Sequence, residues 1–249
     1  NDCIYPFFYA PLEIEAFGGT VIYSEDGPPN TGEPFLKDIG MIRDLQPPKV
    51  RDAKVLHKVL DSIQKLKAAV KDEVPIIAVA VSPFSLPVMQ LGFEKYLDLI
   101  YLHPELFDQL IKINEEFCAD WANAQLEAGA TAICFFDPVS STTIIPRDKY
   151  LQTGYPSAKR TIANIYGPTA THFASGNCLP IINDVAQTGT AVVGVSALED
   201  LSLVKEKCSG KLTVLGNLNG VEMRRWTSAQ TESIVKDAIA KAAPGGGFI

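Results

Sequence analysis

The sequence predicts an α/β fold, a (β/α)8 TIM barrel with parallel strands. Three observations predict it. Short β-branched apolar runs recur with helical segments between them, the rhythm of a parallel sheet. Six strong strand stretches lie between Ile76 and the last residue, and a weaker seventh lies near residues 3–9. No strand stretch leads into Gly-x-Gly-x-x-Gly or Gly-x-x-x-x-Gly-Lys-Ser/Thr, which argues against a dinucleotide-binding or P-loop sheet.

The bulk properties agree. The 249 residues are 47% hydrophobic and 20% charged, ordinary for a globular chain. Barrels of about 250 residues form one domain, so residues 1–249 read as one. Formal charge is −7, with Lys and Arg scattered among acids, so there is no basic stripe for a nucleic acid. No run of about 18 uncharged apolar residues indicates a membrane span, and no leader pattern opens the chain. The five cysteines (Cys3, Cys118, Cys134, Cys178, Cys208) are odd in number and lack Cys-x-x-Cys spacing. That suits free thiols in a cytoplasmic protein. The chain starts on Asn rather than Met and stops on Gly245-Gly-Gly-Phe-Ile249, which reads as the opening of a strand. The N-terminal and C-terminal segments of the barrel are therefore expected to lie outside this numbering.

In chain order, Asp2 to Tyr9 suits the end of a buried strand leaving into a loop. Leu12 to Phe17 is a short helical turn carrying Glu13 and Glu15, stopped by Gly18-Gly19. Thr20 to Ser24 reads as a small strand, and Glu25 to Pro34 as a Gly/Pro/Asn loop. Residues 51–71 form an amphipathic helix, with Val55, Val59, Ile63, Leu66 and Val70 at steps of three and four. Ile76 to Val81 is a strand apolar on both faces. A helix begins near Pro87, and a long one runs from about Pro104 to Ala128. The strand Thr131–Phe136 follows, then a helix from about Tyr155 to Tyr166 and the strand Ala170–Ala174. Helix Leu179–Thr188, strand Ala191–Val195, helix Leu198–Lys207, strand Leu212–Gly216 and helix Ser228–Ala243 complete the alternation.

Barrel chemistry sits at the C-terminal ends of strands. Those ends carry Ser82, Asp137, His172, Ser196 and Asn217, with Glu13 and Glu15 near the first loop. His172 reads as a ligand, acid or base, with a plain loop histidine as the alternative. His57 and His103 read as surface or capping residues on helices. Asp137 precedes Pro138, so it is either functional or a cap of the next turn. Cys134 reads as core, Cys178 as a buried helix start that could approach a metal, and Asn217 and Asn219 as turn or ligand contacts.

Several segments carry a family resemblance. Glu13-Ile-Glu15-Ala-Phe-Gly18 resembles Glu-Ala-Glu-Ala-Phe-Gly, and Ser82-Pro-Phe84-Ser85 resembles Gly-Pro-Phe-Thr. Phe136-Asp137-Pro138, His172 to Asn177 and Gly216-Asn217-Leu-Asn219 follow in matching order. Together they resemble the uroporphyrinogen decarboxylase superfamily, on the side of the corrinoid-dependent methylcobamide:coenzyme M methyltransferases. The resemblance implies catalytic roles for His172 and Asp137. It implies substrate contacts at Glu15, Ser82, Phe84, Asn177 and Asn217.

The superfamily holds two chemistries. The decarboxylases remove acetate carboxyls from a porphyrinogen, and binding that polyanion needs a basic funnel, which these strand ends lack. The methyltransferases hold a thiol on zinc, which lowers its pKa, and methylate it from a corrinoid protein. Their motif is His-x-Cys-x-Gly-Asn; here His172, Gly176 and Asn177 match, but Ala174 replaces the cysteine. Zinc would then need a carboxylate in a mixed site, Glu15 beside His172 first, with Glu13 or Asp137 as alternatives. Otherwise the acceptor is not a thiol but a group such as a folate nitrogen. The implied function is methyl transfer from methylcobalamin on a partner protein to a thiol or folate acceptor. A porphyrinogen decarboxylase is the alternative, and a non-catalytic tetrapyrrole- or corrinoid-binding barrel is the third reading.

Overall fold

The computed structural model describes residues 2–249. Helix α1 (Pro11–Ala16) precedes a small antiparallel pair, β1 (Val21–Ile22) and β2 (Asn30–Thr31). Helix α2 (Lys54–Val70) leads to β3 (Ile77–Val81), then α3 (Pro87–Leu91), α4 (Phe93–Leu102) and α5 (Pro104–Glu127). Next come β4 (Ala132–Phe136), α6 (Arg147–Gln152), α7 (Gly154–Ala163) and β5 (Thr169–His172). The chain continues through α8 (Ile182–Val185), β6 (Val192–Gly194), α9 (Leu201–Cys208), β7 (Thr213–Leu215), α10 (Gly220–Met223) and α11 (Ser228–Ala242).

Strands β3 to β7 pair in chain order, and every pair is parallel. Ile4 adds a parallel bridge to Ile76 beyond β3, and Phe248 adds one to Val214 beyond β7. Strand positions thus follow one another around a singly wound arc. An open doubly wound sheet reverses its order at a switch point; this one does not, and the fold is the expected α/β barrel.

Side-chain alternation sorts the strands into two faces. Ala78, Ala80, Ile133 and Phe135 pack against Leu56, Val59 and Ile63 of α2, Trp121 and Ala122 of α5, and Ile162 of α7. Val193 and Val214 pack in turn against Val185, Leu201, Val204 and Ala242. Each fully buried Leu, Ile, Val or Phe contributes about 1.5–3 kcal/mol, so this helix-facing layer carries much of the stability. The predicted apolar stripe of α2 is the buried one: Val55, Val59 and Ile63 are all covered.

The structure adjusts several elements. The helix expected from Pro87 is cut at Gly92, whose φ of +86° ends α3 before α4 begins. The stretch after Leu179 is a 3-10 turn followed by the short α8, closed by the Thr188 hydroxyl donating to the Val185 carbonyl. Strand β5 stops at His172, not Ala174, because Ala174 turns into the left-handed region at φ 54°. Helix α6 and a 3-10 helix at Ile39–Asp44, capped by Asp38, were not legible as separate elements. Among the described residues, no helix is long and apolar enough to cross a membrane.

Candidate functional site

One register row crosses the strand ends: Val81 pairs with Phe136, Phe136 with His172, His172 with Gly194, and Gly194 with Leu215. These side chains alternate with the helix-facing ones and so face the barrel interior. The His172 ring lies 6.0 Å from that of Phe136, centroid to centroid. Its Nδ1 accepts the Ala174 main-chain N–H at 2.9 Å. Gly194 lies flush beneath it: a Cβ there would stand 2.5 Å from His172 Cδ2. Burial lowers the His172 pKa below the ordinary histidine value.

Asp137 is 1% exposed. Its Oδ1 accepts the hydroxyls of Ser82 at 2.5 Å and Ser85 at 2.9 Å, and its Oδ2 accepts that of Ser140 at 2.5 Å. Ser82 Oγ in turn accepts the Ser85 N–H, and Ser85 Oγ accepts the Val139 N–H. Burial raises the Asp137 pKa, and the three hydroxyls oppose the rise. The result is a closed polar knot joining the loops after β3 and β4.

A second clamp joins the loops after β5, β6 and β7. Glu199 Oε1 accepts the N–H groups of Cys178 at 2.9 Å and Leu179 at 2.5 Å, and its Oε2 accepts the Cys178 thiol at 3.2 Å. Asn217 Nδ2 donates to the carbonyls of Ser196 and Glu199, each at 2.9 Å. Asn177 binds across to the loop after β4: its carbonyl accepts from Thr142, and its N–H donates to Thr143 Oγ1. Five loops at the mouth are thus tied to one another before any ligand arrives.

The uroporphyrinogen decarboxylase (URO-D) family profile matches residues 1–249. The chain belongs to the URO-D family. A uroporphyrinogen decarboxylase of Paraburkholderia phytofirmans is 26% identical over 180 residues, covering 66% of this chain and 49% of that protein. A methylcobamide:CoM methyltransferase of Methanosarcina barkeri is 26% identical over 162 residues, covering 65% of this chain and 48% of that protein. The chain thus spans about half the length of these curated relatives. A solved methyltransferase from Methanosarcina mazei superposes with a TM-score of 0.83 at 21% identity, covering 98% of this chain and 72% of that one. The shared barrel fold follows from that superposition.

Within this URO-D family barrel, the predicted site residues divide. His172, half-buried, stands in the interior row, and Asn177 is exposed at the mouth. Asn217 spends both amide hydrogens on loop carbonyls and acts as a brace. Ser82 is fully buried within the Asp137 knot, and Phe84 is 1% exposed against Tyr96 and Phe107. Asp137 holds serine hydroxyls on both oxygens and ties two loops together. Glu15 is partly buried and accepts the Tyr23 hydroxyl at 2.7 Å.

His172 Nδ1 is already engaged by Ala174, which offers no donor of its own. Among the described residues, no three His, Cys, Asp or Glu side chains converge as metal ligands. Glu15 does not join His172 in such a group. Sequence reading missed Glu199 and Gly194. The glycine interrupting Val192-Val-Gly-Val195 was a signal for close approach; Glu199 had none, since it fell within the helix expected from Leu198.

Proposed function

We propose that the barrel mouth transfers a methyl group between a methylated corrinoid, carried as substrate on a partner protein, and a small-molecule acceptor. One observation supports methyl transfer over porphyrinogen decarboxylation: these mouth segments carry no cation. The segments Ser82–Pro87, Asp137–Thr142, Phe173–Cys178, Val195–Asp200 and Gly216–Val221 contain no Lys or Arg. A porphyrinogen with several carboxylates would meet no countercharge there. A methyl group moving as a carbon electrophile needs none; it needs an acceptor lone pair held in line and water kept away.

The corrinoid supplies the methyl group, and its cobalt keeps both electrons of the broken bond. The residues here orient the acceptor. Phe136 and Leu215 present apolar wall in the His172 row, and His172 offers a polar contact within it. With Ala174 in place of the cysteine of the family motif, the reading favours an acceptor other than a metal-bound thiolate, such as a folate-type nitrogen.

Purified protein incubated with methylcobalamin and a panel of acceptors tests the proposal. Acceptor-dependent loss of the methylcobalamin absorbance, reduced about 100-fold in His172→Ala, supports it. Formation of coproporphyrinogen from uroporphyrinogen would instead establish the decarboxylase reading, which the names of several curated relatives favour. Tight corrinoid binding without turnover would leave a binding barrel.

A further inference from the structure

The two nitrogens of His172 have different fates. Nδ1 accepts a main-chain N–H from Ala174. A backbone amide can only donate, so Nδ1 must present its lone pair, and a neutral ring must carry its proton on Nε2. Ala174 makes this donor by adopting φ 54°, a conformation few non-glycine residues take. On its other side the ring rests on Gly194, where any side chain would displace it. Phe136 stands beside it. Of the two His172 ring nitrogens, only Nδ1 has a partner among the described residues.

We propose that His172 is a fixed Nε2–H hydrogen-bond donor, and that the mouth binds ligands presenting an acceptor to it: a carboxylate, a carbonyl oxygen or an aromatic ring nitrogen. Ala174 and Gly194 are the positioning residues that set this tautomer and ring plane. The ligand class rests on the mouth being the reacting site; the tautomer does not. A ligand lacking an acceptor would leave the half-buried N–H unpaired, so the site discriminates against it.

Long-range proton–nitrogen correlation NMR on 15N-histidine-labelled protein tests the tautomer directly. The expected spectrum shows His172 protonated at Nε2, unchanged when zinc alone is added. In Gly194→Ala, the displaced ring should lose the Ala174 contact and show mixed tautomers. His172→Gln places an amide N–H near the Nε2 position, so tetrahydrofolate affinity should stay within about tenfold, whereas His172→Ala should lose about 100-fold. An Nδ1–H spectrum in the unmodified protein, or stoichiometric zinc binding lost in His172→Ala, would overturn the proposal. Absence of methyl transfer would sink the functional reading while leaving the tautomer result intact.

Discussion

Glu13 Oε1 accepts the Val81 main-chain N–H at 3.2 Å, so a carboxyl group only 2% exposed holds the end of β3. The Trp121 indole lies alongside but outside hydrogen-bonding geometry, and among the described residues no cation faces the carboxyl group. Burial pushes the Glu13 pKa up from 4.5 to about 8.

Glu13→Gln should flatten the pH dependence of stability. Between about pH 4.5 and 8 the unfolded chain releases the proton that the folded protein keeps. Stability therefore falls as pH rises through that window, by up to about 1.4 kcal/mol per unit. The amide keeps an acceptor for Val81 and cannot ionise. Urea unfolding from pH 5 to 9 should show the slope in the parent and its loss in the variant.

The Asp137 knot should matter for stability before chemistry. Asp137→Ala leaves the Ser82, Ser85 and Ser140 hydroxyls buried without their acceptor. The cost should be about 3 kcal/mol, read as a lower urea midpoint at unchanged slope. A stable Asp137→Ala protein would contradict the positioning role.

Ala174→Gly should stabilise the protein by about 0.5–1 kcal/mol, because glycine takes φ 54° without the Cβ penalty. Ala174→Val should destabilise it, since a β-branched residue resists that region. Paired thermal melts decide both.

Asn217→Ala should loosen the β6–β7 side of the mouth. It removes donors to the Ser196 and Glu199 carbonyls, costing about 1–3 kcal/mol. Hydrogen exchange at Cys178 and Leu179, whose amides Glu199 holds, should quicken relative to the β3–β4 side.

His172 gives a pH signature of its own. Burial lowers its pKa, so the folded protein resists protonation of a ring that the unfolded chain protonates near the ordinary histidine value. The associated stability is present above that value and is lost as pH falls below it. Comparison of His172→Gln with the parent by urea unfolding below neutral pH should show the difference shrinking on acidification.

Much of the site was legible because its signals are local. The strand rhythm marked the ends of β3 to β7 to within about two residues, and the family segments fell in order along them. What was misread depends on contacts between distant residues. Ser82 and Asp137 are 55 residues apart in sequence, and nothing near either says that one buries the other. Glu199 fell inside the helix read from Leu198, and its amide partners lie 20 and 21 residues upstream.

The sequence by itself determined the barrel, through alternating β-branched runs and amphipathic helices whose periodicity dictates which face is buried. It also placed His172 at a strand end. Only the tertiary structure decided which strand-end groups face the mouth and which nitrogen of His172 carries the proton. Both outcomes depend on register: pairing His172 with Gly194 opens the space for the imidazole, and the left-handed turn at Ala174 aims an amide at Nδ1.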